Sequence, residues 1–333
     1  MKKVAPVLLS ILMIFVLCAS LPISIAANEN DKPLKVALCL TGPANDNGWC
    51  QLAYDGLVAA EKEYGIEYSY TENLQPTDME AALTDYAAQG YGLVIGLGFQ
   101  FGDPALKVAE KYPDVNFIVF EGSVEADNVL SCQIANHQSR YLLGYLAGKL
   151  SKSGTVGFVA GPAQPSIIKP AEAFKLGART ANPDIKVMVT YCESFTDVDL
   201  AKEAAIAMLD AGADVIGHGA NTAGTGAIKA CEERGALAMG AASDQNALAP
   251  DTVVCSDSYS YGDVLLYVVK QAIDGEFEGG KHMYGFAEGV VNLAPYHGFE
   301  DKIPDDVKQE IEDLKQQIID GTLEIPIIEE QTD

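Results

Sequence analysis

Aromatic and polar residues recur together at the ends of short apolar runs in this chain, a pairing suited to the capture of a planar ring. Asp46, Asn47 and Trp49 stand in TGPANDNGW, Phe99 in GFQFGD, His137 and Gln138 in IANHQSR, Phe195 in CESFTD, His218 in HGANTAG and Asp244 in ASDQNALAP. Aromatic faces stack on a flat guest, each pair contributing about 0.5 to 1.5 kcal/mol beyond area burial, while amides and carboxylates read its edge. Plainer roles exist for the same residues. Trp49 can staple a helix to a sheet, Phe99 and Phe195 can cap a core, the two histidines can be satisfied loop residues, and Asp244 can cap a helix. Residue type and loop position alone leave both readings open.

Catalytic and phosphate-binding patterns are missing. There is no GxxxxGK[ST], HExxH or GxSxG, and the carboxylates are too scattered to form an evident acid–base pair. The stretch VIGLGFQFGDPALKVAEKYPDVNFIVFEG imitates a dinucleotide fingerprint, with Gly96, Gly98 and Gly102 before a helical pattern and Glu121 after the next apolar run. However, Phe99 and Phe101 stand where a pyrophosphate needs bare backbone, and Asp103 with Pro104 brings negative charge to the helix N-terminus, where phosphate would bind. The stretch reads instead as the floor of a ligand crevice. Cys39, Cys50, Cys132, Cys192, Cys231 and Cys255 show no CxxC and no metal spacing, so neither a metal nor a cofactor is expected. Most sit in or beside apolar runs, which suits buried thiols at least as well as disulfides.

The elements that position these loops repeat regularly. Apolar runs LKVALCL, IEYSYT, GLVIGL and NFIVFEG alternate with amphipathic segments, and after VLSCQI and a helical stretch over 139–150 the alternation restarts with TVGFVAG, KVMVTYC, DVIGHGA and ALAMGA. Successive βα units of this kind build parallel sheets covered by helices on both faces. The pattern predicts an α/β chain of two similar lobes: 34–134 with 257–281, and 135–256 with 282–325. A loose tail is expected over 326–333. Ligand belongs in the crevice at the carboxyl ends of both sheets.

A chain of 333 residues accommodates two such lobes, and 48% hydrophobic against 21% charged residues supports a folded body. A formal net charge of -25 without any basic stripe argues against nucleic acid as a partner. Lys2 and Lys3, the apolar run 7–17 and the small residues up to Ala27 have the layout of a secretory signal over 1–27. That run is shorter than the ~20 residues of a membrane span. Lipid attachment at Cys18 is a weaker alternative, because Leu17 precedes it. The protein is expected to be exported, to the periplasm or the cell surface.

In order along the chain, NDNGWCQLAYDGL, GLGFQFGDPALKVAEKYPDVNF, RYLLGYLAGKLSKSGTVGFVAG, ESFTDVDLAKEAAIAMLDAGADVI, SDQNALAPDTVV and YGFAEGVV resemble the basic membrane protein family of substrate-binding proteins. Purine-nucleoside-binding members of that family serve ABC importers. The resemblance implies a type I periplasmic-binding fold, two lobes joined by crossover hinge strands, closing on a purine held between aromatics. It places those aromatics at Trp49 and Phe195 and a polar contact at Gln138, and the YGFAEGVV stretch adds Phe286. Two departures stand out: Ala242 in GAASDQ where the family often has a carboxylate, and Ala287 in GFAEG where a lysine is common. Both resemble ribose contacts, and charge-assisted hydrogen bonds of that kind are worth about 1.5 to 3 kcal/mol each. The expectation is a monomeric receptor that delivers a purine nucleobase or nucleoside, with an adenine-like base favoured, to an ABC permease. Sensory input to a signalling system and capture of another small solute are the alternatives. An extracellular nucleoside hydrolase is disfavoured by the two alanines.

Overall fold

The computed structural model describes residues 33–45 and 49–332. The expected signal segment, Cys18, Asp46 and Asn47 lie outside the described residues.

Strand β1 (Lys35–Leu40) is buried on both faces: Val36, Leu38 and Leu40 enter one core, Ala37 and Cys39 another. The period of two sends alternate side chains to opposite sides, so a strand in the middle of a covered sheet must be apolar throughout. Among the described residues, six strands make the first sheet. These are β1, β2 (Glu67–Thr71), β3 (Leu93–Leu97), β4 (Asn116–Phe120), β5 (Val129–Ile134) and the late β11 (Gly280–Tyr284), in the order β11-β5-β4-β3-β1-β2. Every pairing is parallel. Helices α1 (Trp49–Tyr64) and α8 (Tyr261–Asp274) share the first core, and α2 (Met79–Ala88) and α3 (Gly102–Ala109) the second.

The second sheet runs β12-β10-β9-β8-β6-β7. It comprises β6 (Thr155–Ala160), β7 (Lys186–Tyr191), β8 (Val215–Gly219), β9 (Leu237–Gly240), β10 (Val253–Tyr259) and β12 (Val291–Leu293), with β12 antiparallel to β10. Helices α4 (Asn136–Leu150), α5 (Pro165–Ala181) and α9 (Asp305–Ile319) contribute to the large core, while α6 (Val198–Asp210) and α7 (Thr225–Arg234) enclose an alanine-rich core on the other face. Helices α4 and α5 lie unusually close. A Cβ at Gly144 would run into the Phe174 carbonyl, and one at Gly177 into that of Tyr141.

Between the sheets the chain crosses three times: after β5, between β10 and α8, and between β11 and β12. The boundaries read from sequence, 257 and 281, fall inside strands. Pairing carries β10 to Tyr259 in the second sheet and β11 to Tyr284 in the first. Nor is the C-terminal stretch loose. Ile325 is buried, and Thr332 is tied by its N–H to the Glu172 carboxylate at 3.1 Å and by its carbonyl to Lys175 Nζ at 2.6 Å. Glu172 and Lys175 form a buried ion pair at 2.9 Å, which needs such partners for its remaining atoms. Among the described residues the six cysteines form no disulfide, and all six are buried.

Candidate ligand-binding site

Trp49 opens α1 at the carboxyl end of the first sheet and meets Tyr261, the first residue of α8, edge to face with centroids 5.8 Å apart. Tyr261 in turn packs against Phe120 at 5.6 Å and donates its hydroxyl to the Glu121 carboxylate at 2.7 Å. Burial, reinforced by Glu121, holds the Tyr261 phenol protonated well above its usual range. Directly after β4, Glu121 has φ 54°, a left-handed turn that non-glycine residues rarely take and that marks functional loops. The Trp49 ring is half-buried, and its Nε1 has no hydrogen-bond partner among the described residues. In GLGFQFGD the two phenylalanines part. Phe101 is fully buried against Gly96, whereas Phe99 is 68% exposed at the strand end.

Phe195 follows β7 in the second lobe, half-buried, its ring lying over Gly161 at the end of β6. It and Trp49 come from different sheets and make no ring contact with each other. Three other candidates are engaged elsewhere. His218 Nε2 meets Gln245 Oε1 at 2.8 Å; that oxygen also accepts the Ala241 N–H at 2.9 Å, so the histidine nitrogen is the donor. Burial, with the Arg140 charge nearby, pushes His218 down to about 4, which leaves a neutral ring with Nδ1 bare beside Gly224. The Asp244 carboxylate is exposed, 2.7 Å from His297 Nε2 and accepting the Asn246 N–H. Phe286 is buried in the core under Lys315, so its backbone rather than its ring is presented.

Between the lobes stands the first turn of α4. Gln138 Oε1 accepts the Phe286 N–H at 3.0 Å, fixing the amide so that its NH2 end is left to donate. Beside it His137 is 4% exposed, and its Nδ1 has no hydrogen-bond partner among the described residues; burial and the Lys169 charge push it down to about 4. One turn on, Arg140 is paired with Asp257 at 3.0 Å and donates to the carbonyls of His218 and Gly240. Asp257 also accepts from Ser139 Oγ at 2.9 Å and from the Ala242 N–H at 2.7 Å, holding Ala242 at φ 64°. Burial raises the Asp257 carboxyl, opposed by Arg140 and these donors. The loop where the family often has a carboxylate is therefore held by its backbone. It borders a pocket of about 220 Å³, whose wall includes Ser258, Ser260, Asp263 and Asn292.

Trp49, Gln138, His137 and Phe195 thus occupy the loops and helix ends between the sheets, whereas His218 and Phe286 face inward. Sequence reasoning misses Tyr261, Arg140, Lys169 and Asp257. Only the apolar surroundings of Asp257 in VVCSDSY offered a signal, since a carboxylate amid a buried run needs a partner. No cluster of metal-ligating side chains occurs among the described residues.

Two βα lobes joined by three crossings define the type I architecture of periplasmic solute-binding proteins. The chain belongs to the Bmp family, described as ABC transporter substrate-binding protein PnrA-like, whose model matches residues 34–329. A purine-binding protein of Brucella abortus is 33% identical over 302 residues, 90% of this chain and 84% of that one. Basic membrane protein A of Borreliella burgdorferi is 30% identical over 303 residues, 88% of this chain and 87% of the relative. Among solved structures, an ABC solute-binding protein from Conexibacter woesei superposes with a TM-score of 0.70 at 26% identity, covering 88% of this chain and 99% of that one. The family consists of substrate-binding proteins rather than enzymes, and membership implies a small-molecule ligand, a membrane permease and work outside the cytoplasm.

Proposed function

We propose that this protein captures a purine nucleobase or nucleoside and delivers it, as a monomer, to an ABC permease. The observation that carries this reading is the placement of Trp49 and Phe195, half-buried rings on opposite lobes that do not fill one another's space. A flat base inserted between them covers both rings. The hydrogen-bonding groups left over in the first turn of α4, the Gln138 amide and the unpartnered Asn136 Oδ1, are of the kind a purine edge satisfies. The purine-binding relative from Brucella supports the same ligand class.

Ala242 and Ala287 remove two charged groups from the sugar side, which favours a free base, adenine-like on the sequence reading, over its nucleoside. Closure about the three crossings, the lobe built on β1 to β5 with β11 against the lobe built on β6 to β10 with β12, then presents a ligand-dependent surface to the permease. The export signal over 1–27 belongs to the same account. A thermal-shift panel on protein stripped by unfolding and refolding tests it, with purines, their nucleosides, ribose and amino acids. Ligand at 100 times Kd adds about 2.7 kcal/mol, so purines are expected to raise Tm. A rise with only ribose or an amino acid refutes the purine assignment.

A further inference from the structure

Lys169, in the second turn of α5, is 5% exposed, and no hydrogen bond or ion pair reaches its ammonium among the described residues. A buried cation without a partner is costly and is ordinarily paired, so an unpaired one marks a place where something else supplies the acceptor. Its position identifies that place. Lys169 follows the β6 end that carries Gly161 under Phe195, and its charge is felt by His137 on the first turn of α4 and by Glu121 beside Tyr261. Glu121 is already engaged by the Tyr261 hydroxyl. Burial lowers the Lys169 ammonium, while Glu121 and the tail residue Glu329 draw it back up.

We propose that Lys169 reads the base edge, donating to a ring carbonyl oxygen so that the site prefers oxopurines such as hypoxanthine over adenine. The proposal rests on the purine reading above and revises its adenine-like expectation. A lysine offers three donors and no acceptor. Gln138, next along α4 from the His137 that feels the Lys169 charge, presents its NH2 end, because its carbonyl oxygen is held by the Phe286 N–H. Paired donors match an edge carrying O6 and N7, two acceptors, whereas adenine carries N7 beside an amino group that is itself a donor. Adenine at this edge leaves donor facing donor, and a site built to hydrogen-bond one group rejects the analogue lacking it.

The test compares hypoxanthine and adenine by titration calorimetry on the stripped full-length protein, wild type and Lys169→Met, with apo melting temperatures recorded for both. Methionine keeps length and apolar stem while removing the donors. Wild type is expected to bind hypoxanthine at least tenfold more tightly than adenine. Lys169→Met is expected to weaken hypoxanthine by about 10- to 100-fold, to change adenine by less than about threefold, and to melt no lower than wild type when apo, because it removes an unpaired buried charge. Adenine bound as tightly as hypoxanthine by wild type, or an equal loss of both in the variant, overturns the proposal and leaves the purine reading standing. Failure of wild type to bind either base overturns both.

Discussion

Arg140 Nε lies 3.0 Å from Asp257 Oδ2, with the two side chains 3% and 0% exposed. This buried pair joins α4 to the end of β10 and, through Ala242, sets the loop after β9. Removing one partner strands the other charge. Arg140→Met is expected to cost about 3 to 5 kcal/mol in urea unfolding, and the double variant Arg140→Met with Asp257→Leu to recover most of it. A single variant within 1 kcal/mol of wild type contradicts the assignment.

Acid destabilises this fold through its buried histidines. His137 and His218 titrate near 6.5 when unfolded and at about 4 when folded. Between those values the unfolded chain holds the extra protons, so stability is full above pH 6.5, falls as pH drops, and levels off below about 4. At about 1.36 kcal/mol per pH unit, each histidine contributes roughly 3 kcal/mol across the window. Asp257, raised by burial, acts in the opposite sense, so the comparison that matters is wild type against His137→Gln. The variant is expected to lose clearly less stability between pH 7 and 4; identical acid profiles contradict the assignment.

Thr332 fastens the C-terminus to the Glu172 and Lys175 pair. Thr332→Val removes the hydroxyl that donates to the Glu172 carboxylate. A loss of about 1.5 kcal/mol is expected in chemical unfolding, the lower range for a hydrogen bond to a charged group. Purine affinity is expected to stay unchanged.

Much of this architecture is legible before any coordinates. The βα alternation stands out because strands buried on both faces must be apolar throughout, as Val36 to Leu40 are. Trp49 and Phe195 are legible as loop aromatics. What escapes is pairing over distance. Ser139 and Asp257 meet across 118 positions, and nothing local announces it. Lys169 reads as an ordinary helix lysine until α5 is packed against α4 and its partners are found missing. His218 and Phe286 illustrate the converse: residues beside a crevice turn inward where a tight neighbour, Gly224 or Lys315, receives them. The anchoring of Thr332 escapes a reading of the sequence because its partners are a buried ion pair on a distant helix.

Stacking is expected to dominate capture. Each aromatic contributes about 0.5 to 1.5 kcal/mol of stacking beyond the area it covers, so Trp49→Ala and Phe195→Ala are each expected to weaken purine binding at least tenfold in calorimetry. Phe99→Ala, at an exposed rim position, is expected to change it less than threefold.

Trp49 is the chain's single tryptophan, so its emission reports on the proposed stacking position alone. The decisive measurement titrates stripped protein with hypoxanthine and adenine while following that emission. The account predicts a saturable change with one-to-one stoichiometry for at least one purine and none with ribose. A purine that binds by calorimetry without altering the emission, or a response to ribose alone, contradicts it.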